Sequence, residues 1–440
     1  MNYRKGELLT DGKTKKIWGL EGNPEIVIIE NKKAITAFDD PSFTKEFETK
    51  AIYCTNTTCR VFELLQDAGI PVAYQKQISP TEFLAEKCAM IPLEVVARRF
   101  AVGSYLKRHP ELTAEKDEMP HRFHRLVVEF FLKTTDGRLI SQENKTLLEA
   151  LDPKKGEEDP FIINPYEKKW RLFHSKKLSW APEASLNRSV SAIDVLKDNF
   201  KEKIKGMENI LRKVFLVLEG AWNTMGLRII DMKIEFGISP KFELDHLVIA
   251  DVIDNDSWRL RDANWQELSK ESFRQGEELS EVEEKYGIVS SMVSQIRTPK
   301  QVLVFWKGSK NDSSPNLQIP YIDTDEIILS GHKSPRKSLA QLDKIIGEYP
   351  DGGVIVAKAG LSNGLGPMLA ARTNWPVIAI PATIEKNPED IWSSIRMPSN
   401  VPLLTVWPEK NAILAAKNIL AQKNPFLYMK RQMEIEELDI

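Results

Sequence analysis

Past Thr298 the hydrophobic pattern of this chain changes to five short apolar runs, at residues 302–306, 326–329, 353–357, 377–380 and 403–407, separated by loops and helical segments. Runs this short that are apolar on both faces suit strands buried on both sides, and their alternation with helices predicts a parallel α/β sheet covered by helices. In such a sheet ligands collect beyond the carboxyl ends of the strands. Three loops fall there: Lys307-Gly308-Ser309-Lys310-Asn311-Asp312, Ser330-Gly331-His332-Lys333-Ser334-Pro335, and Ala359-Gly360-Leu361-Ser362-Asn363-Gly364-Leu365-Gly366-Pro367. A Gly-Ser pair at a strand end can present backbone N–H groups to a phosphate, and three glycines let the last loop fold closely around a ligand. His332 is the only histidine after residue 246; flanked by Gly and Lys, it is a candidate proton carrier as well as a candidate structural residue.

The first two-thirds read differently. Residues 25–30 form a strand, 36–47 a loop, and 56–68 a helix stopped by Gly69 and Pro71. Residues 152–188 lack clear periodicity and read as a long surface excursion. From 192 to 222 Ile193, Leu196, Phe200, Ile204, Met207, Leu211, Phe215, Leu218 and Trp222 recur every three or four residues, the pattern of one long amphipathic helix. Strands at 227–236 and 244–252 follow, then a charged helical connector carrying Leu268, Phe273, Leu279 and Val282. The expected division is a domain over 1–262, a helical connector over 263–298 and a domain over 299–440.

Lys plus Arg (61) nearly cancels Asp plus Glu (63), so there is no general pull toward nucleic acid or an anionic membrane, and a charged ligand must be held by local clusters. Asp231, Lys233 and Glu235 alternate with Met232, Ile234 and Phe236, placing three charges on one face of a strand, either functional or solvated. Asp251, Asp254, Asp256 and Arg259 lie at the end of the next strand. Such carboxylates repel one another unless a cation sits among them, and Mg²⁺ is held by one or two carboxylates plus substrate phosphates. Asp11-Gly12-Lys13-Thr14-Lys15 is a short phosphate-cradling loop without Walker spacing. Arg98 and Arg99, beside the Gly103-Ser104 turn, are either an anion fork or a solvated charge pair. No stretch approaches the roughly 18 apolar residues of a membrane span, and the polar start lacks a signal-peptide core. Cys54, Cys59 and Cys88 have neither disulfide nor zinc spacing. The expectation is a cytoplasmic protein with free core thiols.

Together the segments Gly12-Lys13-Thr14-Lys15, 98–104 with Leu106-Lys107-Arg108, 231–237 and 251–260 resemble the SAICAR synthetase family over most of residues 1–262. The resemblance implies an α+β, ATP-grasp-like domain in which ATP phosphorylates the carboxylate of carboxyaminoimidazole ribonucleotide and aspartate displaces the phosphate. By matching position it implies that Lys13 and Lys15 contact nucleotide phosphates, that Lys233 and Glu235 face ATP, and that Glu235 and Asp251 hold Mg²⁺. Arg98, Ser104, Lys133 and Arg259 would bind the other substrates. The sequence departs from the family at Lys133-Thr134-Thr135, where acidic or amide residues follow the lysine, at Phe38-Asp39-Asp40-Pro41-Ser42-Phe43, and over 152–188.

Residues 300–425, with Trp392-Ser393-Ser394-Ile395-Arg396-Met397-Pro398, resemble the aminoimidazole ribonucleotide carboxylases that use CO₂ directly. This implies a flavodoxin-like parallel α/β domain, no biotin, and a histidine that moves a proton at the carboxylated carbon. Implied roles are Ser309 and Asp312 on the ribose phosphate, Ser330 with catalytic His332 and Lys333 at the reacting end, and Ser362, Asn363 and Gly364 around CO₂. Leu361 stands where that family has Arg, and residues 313–329 are short and hold Pro315 and Pro320, so the usual helix there is truncated or absent. The two domains in this order imply a bifunctional ligase and lyase of purine synthesis that assembles as a homo-octamer. The departures also allow a diverged paralogue that keeps the fold without one or both reactions.

Overall fold

The computed structural model describes residues 3–36, 44–115, 118–141, 145–178, 181–239 and 246–438; the departing loop at 38–43 lies outside them. The chain divides into two units, the first running to Ile296 and the second spanning Arg297–Leu438.

The first unit opens on an antiparallel meander, β1 (Lys5–Asp11), β2 (Lys15–Leu20) and β3 (Asn23–Asn31). A short ladder pairs β4 (Ala34–Thr36) with β5 (Thr44–Glu46) and leads into α1 (Lys50–Asp67). Gly69, at a φ of +70°, ends that helix. The helix starts at Lys50 rather than Asn56, because Lys50 is itself buried, its ammonium 3.4 Å from Asp256. β6 (Tyr74–Ser79) and β7 (Glu82–Glu86) complete a five-stranded sheet in the order β1-β2-β3-β7-β6.

The larger sheet is built on β8 (Ala89–Phe100), which runs through Gly103 into the short α2 (Ser104–Arg108), and on β9 (Arg122–Leu132). A small hairpin, β10 (Leu139–Ile140) and β11 (Thr146–Leu148), precedes β12 (Phe161–Ile162), β13 (Lys169–Phe173) and β14 (Ser185–Ser191). Helices α3 (Ala192–Leu196) and α4 (Phe200–Asn223) follow, then β15 (Arg228–Ile238), β16 (Leu247–Ile249) and β17 (Trp258–Arg261). The order is β14-β13-β12-β9-β8-β15-β16, with β17 also paired to β15. Helices α5 (Glu271–Arg274) and α6 (Leu279–Val293) belong to this unit: Phe273, Val282 and Tyr286 share a core with Ile35, Phe47 and Cys54.

Two expectations are corrected. Residues 152–188 are no surface excursion: they contribute β12, β13 and the start of β14 to the main sheet. Lys169-Trp170-Arg171-Leu172 alternates, with Trp170 and Leu172 fully buried, but two- and five-residue strands are too short to show a period against the surrounding polar residues. The long helix is also interrupted. Lys197 and Asn199, at φ of +63° and +58°, break it into α3 and α4 while leaving the apolar stripe of α4 continuous.

In the second unit β18 (Val302–Lys307), β19 (Asp323–Ile328), α7 (Pro335–Glu348), β20 (Gly353–Ala359), α8 (Leu365–Ala370), β21 (Val377–Pro381), α9 (Trp392–Ile395), β22 (Leu404–Thr405), α10 (Glu409–Ala421) and α11 (Pro425–Glu436) succeed one another. The sheet is parallel throughout, in the order β19-β18-β20-β21-β22. Taken in chain order this is 2-1-3-4-5, the flavodoxin-like arrangement, whose switch point lies between β18 and β20. One face packs Val302, Val304, Trp306, Ile355 and Ala357 against Leu342 and Ile345 of α7 and Leu365 and Leu369 of α8. The other packs Leu303, Phe305, Val354 and Val356 against Ala412, Ala416 and Leu420 of α10. Between β18 and β19 the described chain forms no helix, as Pro315 and Pro320 led us to expect; Leu317 and Ile319 lie on the second face instead.

Trp170→Ala tests the place of β13 in the core. The substitution is expected to cost about 3–5 kcal/mol, as for other buried Trp truncations; a near-neutral change in urea unfolding would return the segment to the surface.

Candidate functional sites

On β15 the alternation predicted from sequence is realised. Met232, Ile234 and Phe236 are buried, and Asp231, Lys233 and Glu235 share the opposite face. β8 lies beside them, with Asp231 opposite Arg98 and Glu235 opposite Glu94. Lys233 Nζ donates to Glu94 at 2.7 Å. Lys133, just past the end of β9, reaches in between, with Nζ 2.9 Å from Glu235 and 3.6 Å from Glu94. Lys15, the first residue of β2, pairs with Asp251 just past β16. Three lysines from separate elements thus interleave with three carboxylates.

The charges bear this out. Burial pushes Lys15 down to about 8, against the pull of Glu235 and Asp254, with Lys133 and Lys233 adding to the fall. Burial also works against charge on Lys133, yet Glu235 and Glu94 outweigh it and hold that lysine above its usual range. Glu94 is held below its usual value despite burial, because Lys233 and Lys133 favour its ionised form. Lys13 is exposed in the turn between β1 and β2; Gly12 N–H donates to Lys15 O at 2.9 Å, and Lys32 Nζ donates to Gly12 O at 2.6 Å.

Arg98 is buried in a second network. Its Nε donates to Glu129 and Nη1 to Asp231, both at 2.6 Å, while Nη2 donates to Ser104 Oγ at 3.2 Å. Glu129 also pairs with Arg108, and Asp231 with Arg259 at 2.5 Å. Arg259 is the more accessible arginine, its side chain 19% exposed against 4% for Arg98. Gly103, at a φ of +60°, has no room for a side chain: a Cβ there would sit 2.7 Å from Arg259 Nη2. Arg98, Ser104 and Arg259 therefore come together as the sequence suggested. Arg99 does not join them: it points to the other side of the sheet and pairs with Glu219 of α4 at 2.7 Å.

Sequence reasoning missed Glu94, Glu129, Lys50 and Asp159. Glu94 had a signal, since it lies on the same strand face as Arg98 with an even spacing. Lys50 is buried with Asp256, Cys54 and Tyr286, whose hydroxyl donates to Asp256 at 2.5 Å. For a magnesium ion, Glu235 and Asp251 are a fitting donor set. Glu235 projects from β15 and Asp251 follows the neighbouring β16, both near Lys15, and Mg²⁺ takes one or two carboxylates and completes its shell with water and phosphate oxygens. Among the described residues no group of three or more His, Cys, Asp and Glu forms an all-protein cage.

In the second unit the three loops meet at the carboxyl ends of β18, β19 and β20. Gly308 N–H donates to Lys358 O at 3.0 Å. His332 lies against Gly364, where an added Cβ would fall 2.1 Å from Nε2, and a Cβ on Gly331 would meet Gly364 O at 2.9 Å. Ser309, His332, Lys333 and Ser362 are exposed around this contact. Ser330 Oγ accepts from Lys333 N–H at 3.2 Å, and Ser309 Oγ accepts from Asn311 N–H at 3.2 Å. Asn363 is buried: it donates to Ser394 Oγ at 3.1 Å and accepts from Gly366 N–H at 3.0 Å, which sets the loop's shape. Asp312 closes its turn through N–H to Ser309 O at 3.3 Å.

Residues 8–158 and 184–293 match the SAICAR synthetase family, and residues 309–438 match the AIR carboxylase family. The chain is thus a member of the SAICAR synthetase family. More closely, it belongs with the bifunctional proteins that join the two domains. It is 34% identical, across 96% of its own length and 92% of the relative's, to a Caenorhabditis elegans protein named "Probable multifunctional protein ADE2". It is 31% identical to the bifunctional phosphoribosylaminoimidazole carboxylase/phosphoribosylaminoimidazole succinocarboxamide synthetases of Rattus norvegicus and Drosophila melanogaster, over 97% and 98% of this chain and 92% of each relative.

Glu129→Gln removes the carboxylate that two buried guanidiniums share. It is expected to destabilise the first unit by about 3 kcal/mol, because an uncompensated buried charge remains. A variant with an unchanged urea midpoint would show that Asp231 alone suffices for Arg98.

Proposed function

We propose that this chain catalyses two consecutive steps of purine synthesis: carboxylation of aminoimidazole ribonucleotide by CO₂ in the second unit, and ATP-dependent coupling of the product to aspartate in the first. The observation that carries this reading is the lattice of Lys15, Lys133 and Lys233 against Glu94, Glu235 and Asp251. Phosphoryl transfer asks a protein for positioning and charge neutralisation rather than covalent chemistry. A triphosphate entering the lattice would draw the lysines, with Lys13 at the rim, onto its oxygens and release Glu235 and Asp251. A Mg²⁺ held by those two carboxylates would neutralise charge as the phosphoryl group moves. Arg259 and Ser104 would grip the ribonucleotide, with Arg98 fixing both through Asp231 and its own contact to Ser104.

In the second unit the nucleophilic imidazole carbon would attack CO₂ without ATP or biotin, and His332 would take the proton from that carbon. Ser309 and Asp312 would hold the ribose phosphate, Ser330 and Lys333 the reacting end, and Ser362, Asn363 and Gly364 the CO₂ pocket. The working form would be a cytoplasmic homo-octamer.

Purified protein given aminoimidazole ribonucleotide, bicarbonate, aspartate, ATP and Mg²⁺ should yield the succinylated carboxamide by mass spectrometry. Carboxylated intermediate alone would place a loss in the first unit. No product, even from supplied carboxylated substrate, would make the chain a paralogue without either activity. In Glu235→Ala, calorimetric ATP binding should lose its dependence on Mg²⁺; unchanged metal dependence would sink that ligand assignment.

His332→Asn should lower carboxylation by roughly 10²- to 10⁴-fold, the usual worth of a positioned proton carrier, with ATP affinity intact. Normal turnover in that variant would remove the histidine from the mechanism.

A further inference from the structure

Asp159 closes a loop that leaves the main sheet after Thr134 and returns beside it. Its Oδ1 accepts from Thr134 N–H at 2.8 Å and from Thr134 Oγ1 at 3.2 Å, and its own N–H donates back to Thr134 Oγ1 at 3.1 Å. Lys133 N–H donates to Pro92 O at 2.9 Å and Leu132 N–H to Pro160 O at 3.0 Å, so both sides of the clamp are tied to the sheet. The clamp holds Asp159 at a φ of +45° within the electrostatic reach of Lys133, the lysine that bridges Glu235 and Glu94. Thr134 occupies Oδ1; among the described residues Oδ2 takes no hydrogen bond, and the residue is only partly covered. The family match stops at residue 158 and resumes at 184, so this carboxylate lies beyond the matched segment.

Resting on the ligase reading above, we propose that Asp159 is the general base for the coupling step, taking a proton from the amine of the incoming aspartate. The amine arrives as an ammonium ion, which has no lone pair to attack with. One N–H proton passes to Asp159 Oδ2, and the freed pair forms the C–N bond to the acyl phosphate carbon. The C–O bond to phosphate then breaks, and phosphate leaves with the bonding pair. The second N–H proton goes to the departing phosphate, and Asp159 returns its proton to solvent. None of the lysines is left to serve as the base: Glu235 and Glu94 hold Lys133 as a cation, Lys233 is ion-paired with Glu94, and Lys15, although burial eases its deprotonation, is paired with Asp251 and is drawn onto the triphosphate in the reading above. The groups facing Asp159 suit the task. Burial raises its affinity for a proton, Glu94 of β8 adds to this, and Lys133 and Thr134 past β9 limit the rise.

Asp159→Asn keeps the Oδ1 acceptor for Thr134 and loses only the ability to take a proton. With carboxylated substrate and ATP supplied to the full chain, aspartate coupling should fall roughly 10²- to 10⁴-fold. The acid limb of its pH–rate profile should vanish, and KM for ATP should stay unchanged. Hydroxylamine, an amine already unprotonated at neutral pH, should still trap the acyl phosphate as hydroxamate at the wild-type rate. Asp159→Glu should recover part of the coupling rate. Wild-type coupling by Asp159→Asn would overturn the assignment, and so would a hydroxamate rate that falls in step with coupling, which marks a purely structural role. A wild-type protein that forms neither succinylated product nor hydroxamate would overturn the ligase reading itself.

Discussion

A strand that carries Asp231, Lys233 and Glu235 on one face can sit inside a sheet only if each charge meets its opposite, and the first unit is arranged around that requirement. β8 supplies Glu94 and Arg98 in register with β15, β9 supplies Glu129, and the chain just past β9 supplies Lys133. Moving β15 by one residue against β8 would turn the charged face into the core and the apolar face outward, so pairing register and site chemistry are the same constraint. The two ends of the charged face then differ in kind. Around Asp231 the partners are arginines, 4% exposed for Arg98 and 19% for Arg259, and bidentate-capable forks hold a rigid network. Around Glu235 the partners are lysines, 39% exposed for Lys133, whose flexible stems can swing toward an arriving anion. Rigid arginines and movable lysines along one strand suit a site that fixes one substrate while exchanging ion partners with another.

Much of this was legible from sequence where the information is local. Period-two alternation at 231–236 placed the charged face, and five apolar runs with turns between them placed the parallel sheet of the second unit. What could not be read is pairing at long range. Glu94 and Glu129 each stand as one acid in an apolar run, and only the strand order shows that they meet Lys233 and Arg98. Lys50 begins a helix whose apolar spacing becomes visible only later, because its burial depends on Asp256 more than two hundred residues away. Thr134 and Thr135 read as a lost acidic pair, yet folding brings Asp159 back to Thr134 and restores a carboxylate beside Lys133. β12 and β13 escaped notice because short strands draw their stability from neighbours already in the sheet, and local propensity says little there.

The second unit shows how a parallel fold makes one crossover without a covering helix. Residues 308–322 cross from β18 to β19 without one, and the face left beside α10 is met in two ways. Leu317 and Ile319 supply apolar contacts, while Lys307 and Lys358, at the carboxyl ends of the two central strands, bind the connection through polar groups. Lys307 donates to Ser314 at 2.7 Å and pairs with Glu326 at 2.7 Å; Lys358 donates to Ser313 Oγ at 2.7 Å and pairs with Glu409 at 2.5 Å. Charges this little exposed are retained only with such partners. They anchor the segment that follows the Gly308-Ser309 turn, and so hold that loop at the switch point without a helix.

The same separation of frame from side chain decides what Leu361 means. It occupies a left-handed conformation at a φ of +62° with its side chain 66% exposed. The turn is held from behind: buried Asp390 accepts from Leu361 N–H at 2.5 Å, from Thr383 N–H at 2.9 Å and from Thr383 Oγ1 at 2.7 Å. Only the backbone of residue 361 takes part. Exchanging the expected arginine for leucine therefore removes a positive charge from the rim and leaves the path of the loop, the seat of Gly364 and the position of His332 in place. In the proposed carboxylation, proton transfer at His332 would depend on that geometry, whereas attraction of an anionic substrate would depend on the rim charge. On that proposal the replacement would fall on substrate affinity rather than on the chemical step.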